Sequence, residues 1–269
     1  MQRLTWLIVA AVAFFGCIWA LNTFLPHTRL LMQFPTLESV ASFYAVPPAR
    51  EGWETLSVTE RLADINCRVR PFLETKLAVR GMRLGSPVFV RLFKETRELE
   101  IWLQDIAGDW KFLNSYSIAC LSGNLGPKQR EGDMQAPEGF YTVTPSQLNP
   151  ASRYHLAFNI GYPNAYDLHH QRTGSHIMVH GDEVSIGCYA MTDVLIEEIY
   201  LLVSSAIEQG QREVSVHCFP FRFTTERMQQ AQSEPWSAFW LNLREGFDAF
   251  EKSGKPPEVL LRDGRYVFR

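Results

Sequence analysis

Val88, Val90 and Leu92 alternate with other side chains, and Leu99, Ile101 and Leu103 repeat the pattern after the polar connection Lys94-Glu95-Thr96. Period-two alternation puts each apolar set on one face of a strand, so the two runs form a hairpin with a face to bury. That requirement commits the chain to a sheet and to a second layer that covers it. Further short strands are expected at residues 110–119, 140–143, 154–160, 177–180 and 213–218. The fold class is therefore mainly β, as a sheet or sandwich, with added helices. A chain of 269 residues, 46% of them hydrophobic, is long enough to bury a full core. Its net charge of −3 excludes the basic footprint of a nucleic-acid binder.

The helices flank this β region. Residues 57–80 have mixed helical character, interrupted at Pro71. Thr192 is an N-cap for a helix whose Leu195, Ile199, Leu202 and Ala206 share one face, and Gly210 is its natural stop. Trp236, Phe239, Trp240, Leu243, Phe247 and Phe250 form an amphipathic stripe, which reads as core packing rather than a ligand site. Pro256-Pro257 ends it, and Val259 to Phe268 reads as a closing hairpin around Asp263-Gly264.

The N-terminus obeys other rules. Leu4 to Leu21 is an apolar run broken only by Thr5 and preceded by Arg3, barely long enough to cross a bilayer. A retained signal anchor is favoured over a cleaved signal peptide, because Trp19 stands where a cleavage site wants a small residue. Either reading places the remainder outside the cytoplasm, with the inner membrane as a partner if the anchor stays. The expected organisation is a signal anchor or signal peptide at 1–25, a spacer and helical lead-in at 26–85, a catalytic domain at 86–219 and a C-terminal extension at 220–269.

The stretch from His176 to Thr192, HIMVHGDEVSIGCYAMT, holds the chemistry. Ile177-Met178-Val179 favours a strand with His180 at its end and Gly181 as a turning point. Cys188 follows eight residues after His180. A cysteine attacks as its thiolate, a histidine within reach serves as base, and a neighbouring glycine frees amides for an oxyanion. Taken alone the spacing also fits a buried structural cysteine. Cys67, Cys120, Cys188 and Cys218 lie 53, 68 and 30 residues apart, which matches no zinc pattern, and the sequence assigns no disulfide among them. His169, His170 and His176 add no standard metal spacing, His-Glu-x-x-His is absent, and no Gly-x-Ser-x-Gly elbow or phosphate-binding Gly-Lys-Ser/Thr ending occurs. No metal or other cofactor is expected.

Val179-His-Gly181 followed by Ser185-Ile-Gly-Cys188 resembles the signature of the L,D-transpeptidase (YkuD-like) catalytic domain. Six further stretches are similar to its YafK-type subgroup: Ser122-Gly-Asn-Leu-Gly-Pro-Lys-Gln-Arg130, Ala136-Pro-Glu-Gly-Phe-Tyr141, Asn159-Ile-Gly-Tyr-Pro-Asn-Ala-Tyr-Asp167, His180-Gly-Asp182, Gly187-Cys-Tyr-Ala-Met-Thr192 and Phe219-Pro-Phe-Arg222. The resemblance runs from about Pro87 to the C-terminus and leaves residues 1–80 uncovered.

It implies a β-sandwich catalytic domain acting on peptidoglycan stem peptides through a cysteine acyl-enzyme. Cys188 matches the nucleophile and His180 the general base, with backbone amides at Gly187 and Cys188 as oxyanion hole. Ser185 matches the serine of the second motif. Lys128 and Arg130 are candidates for binding stem-peptide carboxylates, or residues of a solvated loop. Tyr162, Asp167 and Arg222 can orient substrate, although a structural role weighs more for each. His169 and His170 read as surface residues, and His176 as a bystander.

One position departs from the pattern: Ile186 stands where the broad family carries a histidine. The subgroup resembles a diaminopimelate amidase that releases wall-linked outer-membrane lipoprotein, which implies hydrolysis. Cross-link formation is the alternative, and a non-catalytic wall-binding protein is an alternative of another class.

Overall fold

The computed structural model describes Ala49 and residues 52–269. The N-terminal apolar run and most of the spacer lie outside the described residues. Among those described, no helix is long and apolar enough to cross a membrane. Residues 46–269 form one compact unit.

The lead-in is helical. Helix α1 (Val58–Arg68) starts with a capping box in which Ser57 and Glu60 each satisfy the other's backbone amide. Helix α2 (Arg70–Ala78) follows at once, with Pro71 in its first turn, where a missing N–H leaves no bond unmade. The break thus falls at Val69, and Pro71 opens the second helix rather than ending the first.

The expected hairpin is present as β1 (Val88–Phe93) and β2 (Glu98–Gln104), and β3 (Trp110–Ser117) extends it antiparallel. On the other side of β1 lies β9 (Val214–Phe219), parallel to it, and then β4 (Gly139–Val143), antiparallel to β9. The five-stranded order is β3-β2-β1-β9-β4. A second, four-stranded sheet contains β5 (Leu148–Asn149), β6 (Ala157–Asn159), β7 (Met178–His180) and β8 (Tyr189–Ala190). Between β6 and β7 lies the short helix α3 (Ala165–His169).

One hydrophobic core joins the two sheets. It unites Val90, Leu92, Ile101 and Val216 of the first with Phe158, Val179 and Tyr189 of the second, and with Ile196, Ile199 and Leu202 of helix α4 (Asp193–Glu208). Thr192 caps α4 through its side-chain oxygen, which accepts from the Leu195 amide. The first sheet's other face carries Phe93, Phe140 and Phe219. They pack with Phe221, Phe239, Trp240 and Leu243 into a second cluster under α5 (Thr225–Gln230), α6 (Ser237–Ser253) and the hairpin of β10 (Val259–Arg262) and β11 (Arg265–Phe268). The stripe on α6 is therefore core, as its spacing suggests. The arrangement is two mixed sheets with substantial helix.

One strand is shorter than its sequence pattern suggests. Pairing expected from residue 154 begins only at Ala157, because His155 adopts a left-handed φ of 65° and turns the chain.

Candidate active site

The parallel pairing of β7 and β8 brings the two sequence candidates together. Val179 lies against Tyr189 and His180 against Ala190. Side chains alternate along strands, so Val179 and Tyr189 enter the core, while Met178, His180 and Cys188 take the other face. There they line a cavity of about 620 Å³. Its remaining wall comes from Lys128, Glu131, Gly132, Asn149, residues 151–154, residues 174–177 and Ile186.

Two glycines make the site possible. Gly187 has a φ of 134°, a conformation that side chains rarely adopt. Gly181 is needed for room: a Cβ there would sit 2.9 Å from the Tyr154 carbonyl oxygen and 2.8 Å from His155 Cβ. That closeness lets the Gly181 amide donate to the carbonyls of Tyr154 and Leu156, both at 3.1 Å.

His180 is oriented by its own surroundings. Its Nδ1 lies 2.5 Å from the Gly181 carbonyl oxygen, so Nδ1 carries the hydrogen and Nε2 is the basic nitrogen. The Tyr154 ring lies over the imidazole with centroids 4.8 Å apart. Burial lowers the imidazole below its ordinary value, while the Gly181 carbonyl and Asp182 oppose this incompletely.

Cys188 Sγ accepts a hydrogen bond from the Met178 amide at 3.3 Å, and the thiol donates to the His176 carbonyl at 3.7 Å. Burial pushes the thiol up, against the Met178 amide and the Lys128 charge. Both shifts favour the neutral forms.

The remaining candidates take different places. Ser185 Oγ donates to the Cys188 carbonyl at 2.7 Å and accepts from the Gly187 amide at 3.2 Å, so it shapes the nucleophile's loop from within. The Gly187 amide is thereby engaged. Lys128 reaches the cavity wall, but its ammonium already bonds Asp133 at 2.5 Å and the Arg130 carbonyl at 2.9 Å. Burial opposes the Asp133 charge, yet Lys128 and three backbone amides outweigh it and hold the carboxyl below its usual range.

Arg130 is exposed and lines a separate depression with Trp236. Tyr162 is buried, and its hydroxyl donates to the carbonyls of Lys128 and Thr173. Asp167 is buried with Arg172 and Tyr141. Arg222 bonds Glu98 and Glu100 and lies over the Phe93 ring. Tyr162, Asp167 and Arg222 do not line the cavity, and each sits in structural pairings of the kind that weighed more for it.

His176, read as a bystander, lines the cavity and supplies the carbonyl that meets the thiol. Sequence reasoning missed Arg153 and Tyr154, both exposed on the cavity wall. It also missed Lys94, whose buried ammonium bonds Glu138 at 2.9 Å and the carbonyls of Gly126 and Ala136. That tie holds both ends of the segment carrying Lys128. Among the described residues, no group of three or more His, Cys, Asp or Glu could hold a metal, and Cys67, Cys120, Cys188 and Cys218 are free thiols.

The L,D-transpeptidase catalytic domain (YkuD) matches residues 103–216, which include His180 and Cys188. A curated Escherichia coli (strain K12) protein, "Putative L,D-transpeptidase YafK", is 48% identical over 184 residues, covering 68% of this chain and 74% of that one. The chain belongs to the L,D-transpeptidase family. An O157:H7 relative of the same description matches equally. Two solved structures are more distant. The helical cell shape determining protein Pgp2 from Campylobacter jejuni is 19% identical at a TM-score of 0.40, covering 71% of this chain and 80% of that chain. Bdellovibrio bacteriovorus Bd1075 is 19% identical at a TM-score of 0.34, covering 63% and 61%. In this member of the family, His180 and Cys188 occupy a wall where a strand end and a glycine turn meet the cavity.

Proposed function

We propose that the protein is a cysteine enzyme that acts on diaminopimelate-containing peptidoglycan stem peptides and hydrolyses the bond joining peptidoglycan to a wall-linked lipoprotein. The observation that carries the acyl-enzyme part is that His180, at the end of β7, and Cys188, the residue before the parallel strand β8, line one cavity. Hydrolysis is supported by Ile186, an apolar side chain 78% exposed at the cavity, which offers no polar group to hold an incoming amine.

Substrate enters with its scissile carbonyl beside Cys188. His180 Nε2 takes the thiol proton as sulfur attacks, and the S–C bond forms. The carbonyl oxygen takes the negative charge. The Gly187 amide being engaged by Ser185, the amide of Cys188 itself is the donor this turn offers to that oxygen. The C–N bond then breaks, and the proton on His180 passes to the departing lysine amine. Water attacks the thioester, giving its proton to His180, and the thiol is restored as the new carboxylate leaves. Arg153, exposed on the wall, is a group for a stem-peptide carboxylate in place of Arg130.

We place this reaction outside the cytoplasm, with residues 4–25 as inner-membrane tether. A second reading, transfer to an amine acceptor, is favoured by the transpeptidase description of the 48%-identical relative. The deciding experiment incubates the protein and Cys188→Ala with sacculi carrying bound lipoprotein, followed by mass spectrometry of released protein and muropeptides. Lipoprotein released only by the unaltered protein supports the amidase, new diaminopimelate-to-diaminopimelate dimers support the transpeptidase, and neither product sinks both.

A further inference from the structure

Arg61 on α1 is buried, yet among the described residues its guanidinium meets no carboxylate. Its nitrogens donate to backbone carbonyls on two segments. Leu56 and Glu54 lie on its own side at 3.2 Å each. Ser152 at 3.0 Å, His155 at 3.4 Å and Pro150 at 3.5 Å lie on the segment whose residues 151–154 form part of the cavity wall. A planar fork of five donors is suited to fixing the relative position of several acceptors, which a lysine ammonium cannot reproduce.

The wall segment is held from further sides. The Trp53 ring stacks on His155 with centroids 3.9 Å apart. His155 Nε2 meets Glu197 Oε1 at 2.8 Å, and Arg68 bonds both oxygens of that carboxylate. These contacts stabilise the left-handed turn at His155. The turn delivers the preceding residue, Tyr154, to the base: its carbonyl accepts from the Gly181 amide and its ring covers the His180 imidazole.

We propose that Arg61, from a lead-in outside the matched catalytic domain, is a positioning residue for His180, acting through the Ser152–His155 wall and the Tyr154 ring. The inference rests on the reading of His180 as base. Arg61 touches neither substrate nor reacting atoms. It sets where Tyr154 stands, and Tyr154 sets how the imidazole is shielded and aimed. The charged group facing His180 beside this ring is Asp182, which the same Gly181 turn carries.

The test follows His180 itself. Full-length protein in detergent micelles, labelled at histidine Cε1, is titrated by NMR, with His180→Gln assigning the resonance. Arg61→Ala, Arg61→Lys and Tyr154→Ala are compared with the unaltered protein, alongside thermal midpoints and lipoprotein release from sacculi. The expected result is a His180 titration that moves up toward the ordinary histidine value in Arg61→Ala and Tyr154→Ala. Arg61→Lys, which keeps the charge without the fork, falls between them and the unaltered protein. Release falls on the order of tenfold to a hundredfold in kcat with little change in KM.

A lowered thermal midpoint in Arg61→Ala with His180 titration and kcat unmoved makes Arg61 merely structural and overturns the proposal. Should Arg61→Ala fail to fold, Tyr154→Ala, altered at an exposed side chain, still decides: an unmoved His180 titration breaks the link. If the unaltered protein releases nothing while the titrations shift as expected, the positioning stands and the proposed reaction falls.

Discussion

The Met178 amide donates a hydrogen bond to Cys188 Sγ at 3.3 Å, yet burial still holds the thiol above its ordinary value of 9.0. With His180 pushed down as well, both shifts favour the uncharged forms of the pair. Iodoacetamide modification of Cys188, followed peptide by peptide in a mass spectrometer, is expected to be slow at pH 7 and to climb only above pH 9. A plateau already reached near pH 6 would show a standing ion pair and refute the neutral resting state.

Ile186→His should test what the exposed apolar side chain does. At a position 78% exposed, the change is expected to alter stability by no more than about 0.5 kcal/mol. The added imidazole gives the cavity a polar group, so Cys188 modification should shift to lower pH. The ratio of transfer to hydrolysis, read from muropeptides with an amine acceptor present, should rise.

Gly181→Ala puts a methyl group 2.9 Å from the Tyr154 carbonyl oxygen, where backbone must move. An overpacked contact of this kind costs about 1–3 kcal/mol. Urea denaturation should show that loss, with acyl-enzyme formation falling more steeply than stability because the same shift displaces His180.

Lys94→Met strands Glu138, a fully buried carboxylate that also accepts from the Gly126 amide and Trp240 Nε1. Removing one partner of a buried pair costs about 3–5 kcal/mol. The urea midpoint should fall accordingly, and a midpoint within experimental error of the original would show that Glu138 is content without the ammonium.

His217 sits between the rings of Phe89 and Phe140, at 4.6 and 4.7 Å, with Nδ1 unpartnered. Burial, helped by Arg91, lowers it from 6.5 to about 3. A folded value below the unfolded one means its contribution is complete above pH 6.5 and is lost as pH falls toward about 3. Urea midpoints should decline across that window, and His217→Leu should flatten part of the slope.

Local patterns were legible where short-range chemistry decides. The β1–β2 hairpin, the Thr192 cap and the α6 stripe each express a period or a cap readable within a few residues. His180 and Cys188 were legible because a strand end, a glycine and a cysteine fall within nine residues. The Arg61 clamp was not, since its wall acceptors lie 89 to 94 residues away. Lys94–Glu138 was hidden for the same reason: buried charge pairs carry no periodicity. Arg222 looked like a motif residue, and only three-dimensional placement reveals its carboxylate partners on β2.

The β7–β8 register has a consequence of parity. Residues ten apart face each other across this ladder, so the cavity side is even-numbered on both strands: 178, 180 and 188 look out, while 179 and 189 look in. A slip of one residue in this pairing would exchange odd for even, standing Tyr189 or Gly187 at the cavity and turning the sulfur into the core. The ladder and the burial of Val179 and Tyr189 hold that register, so the loop from Gly181 to Gly187 can lengthen or shorten by any step while Cys188 keeps its side.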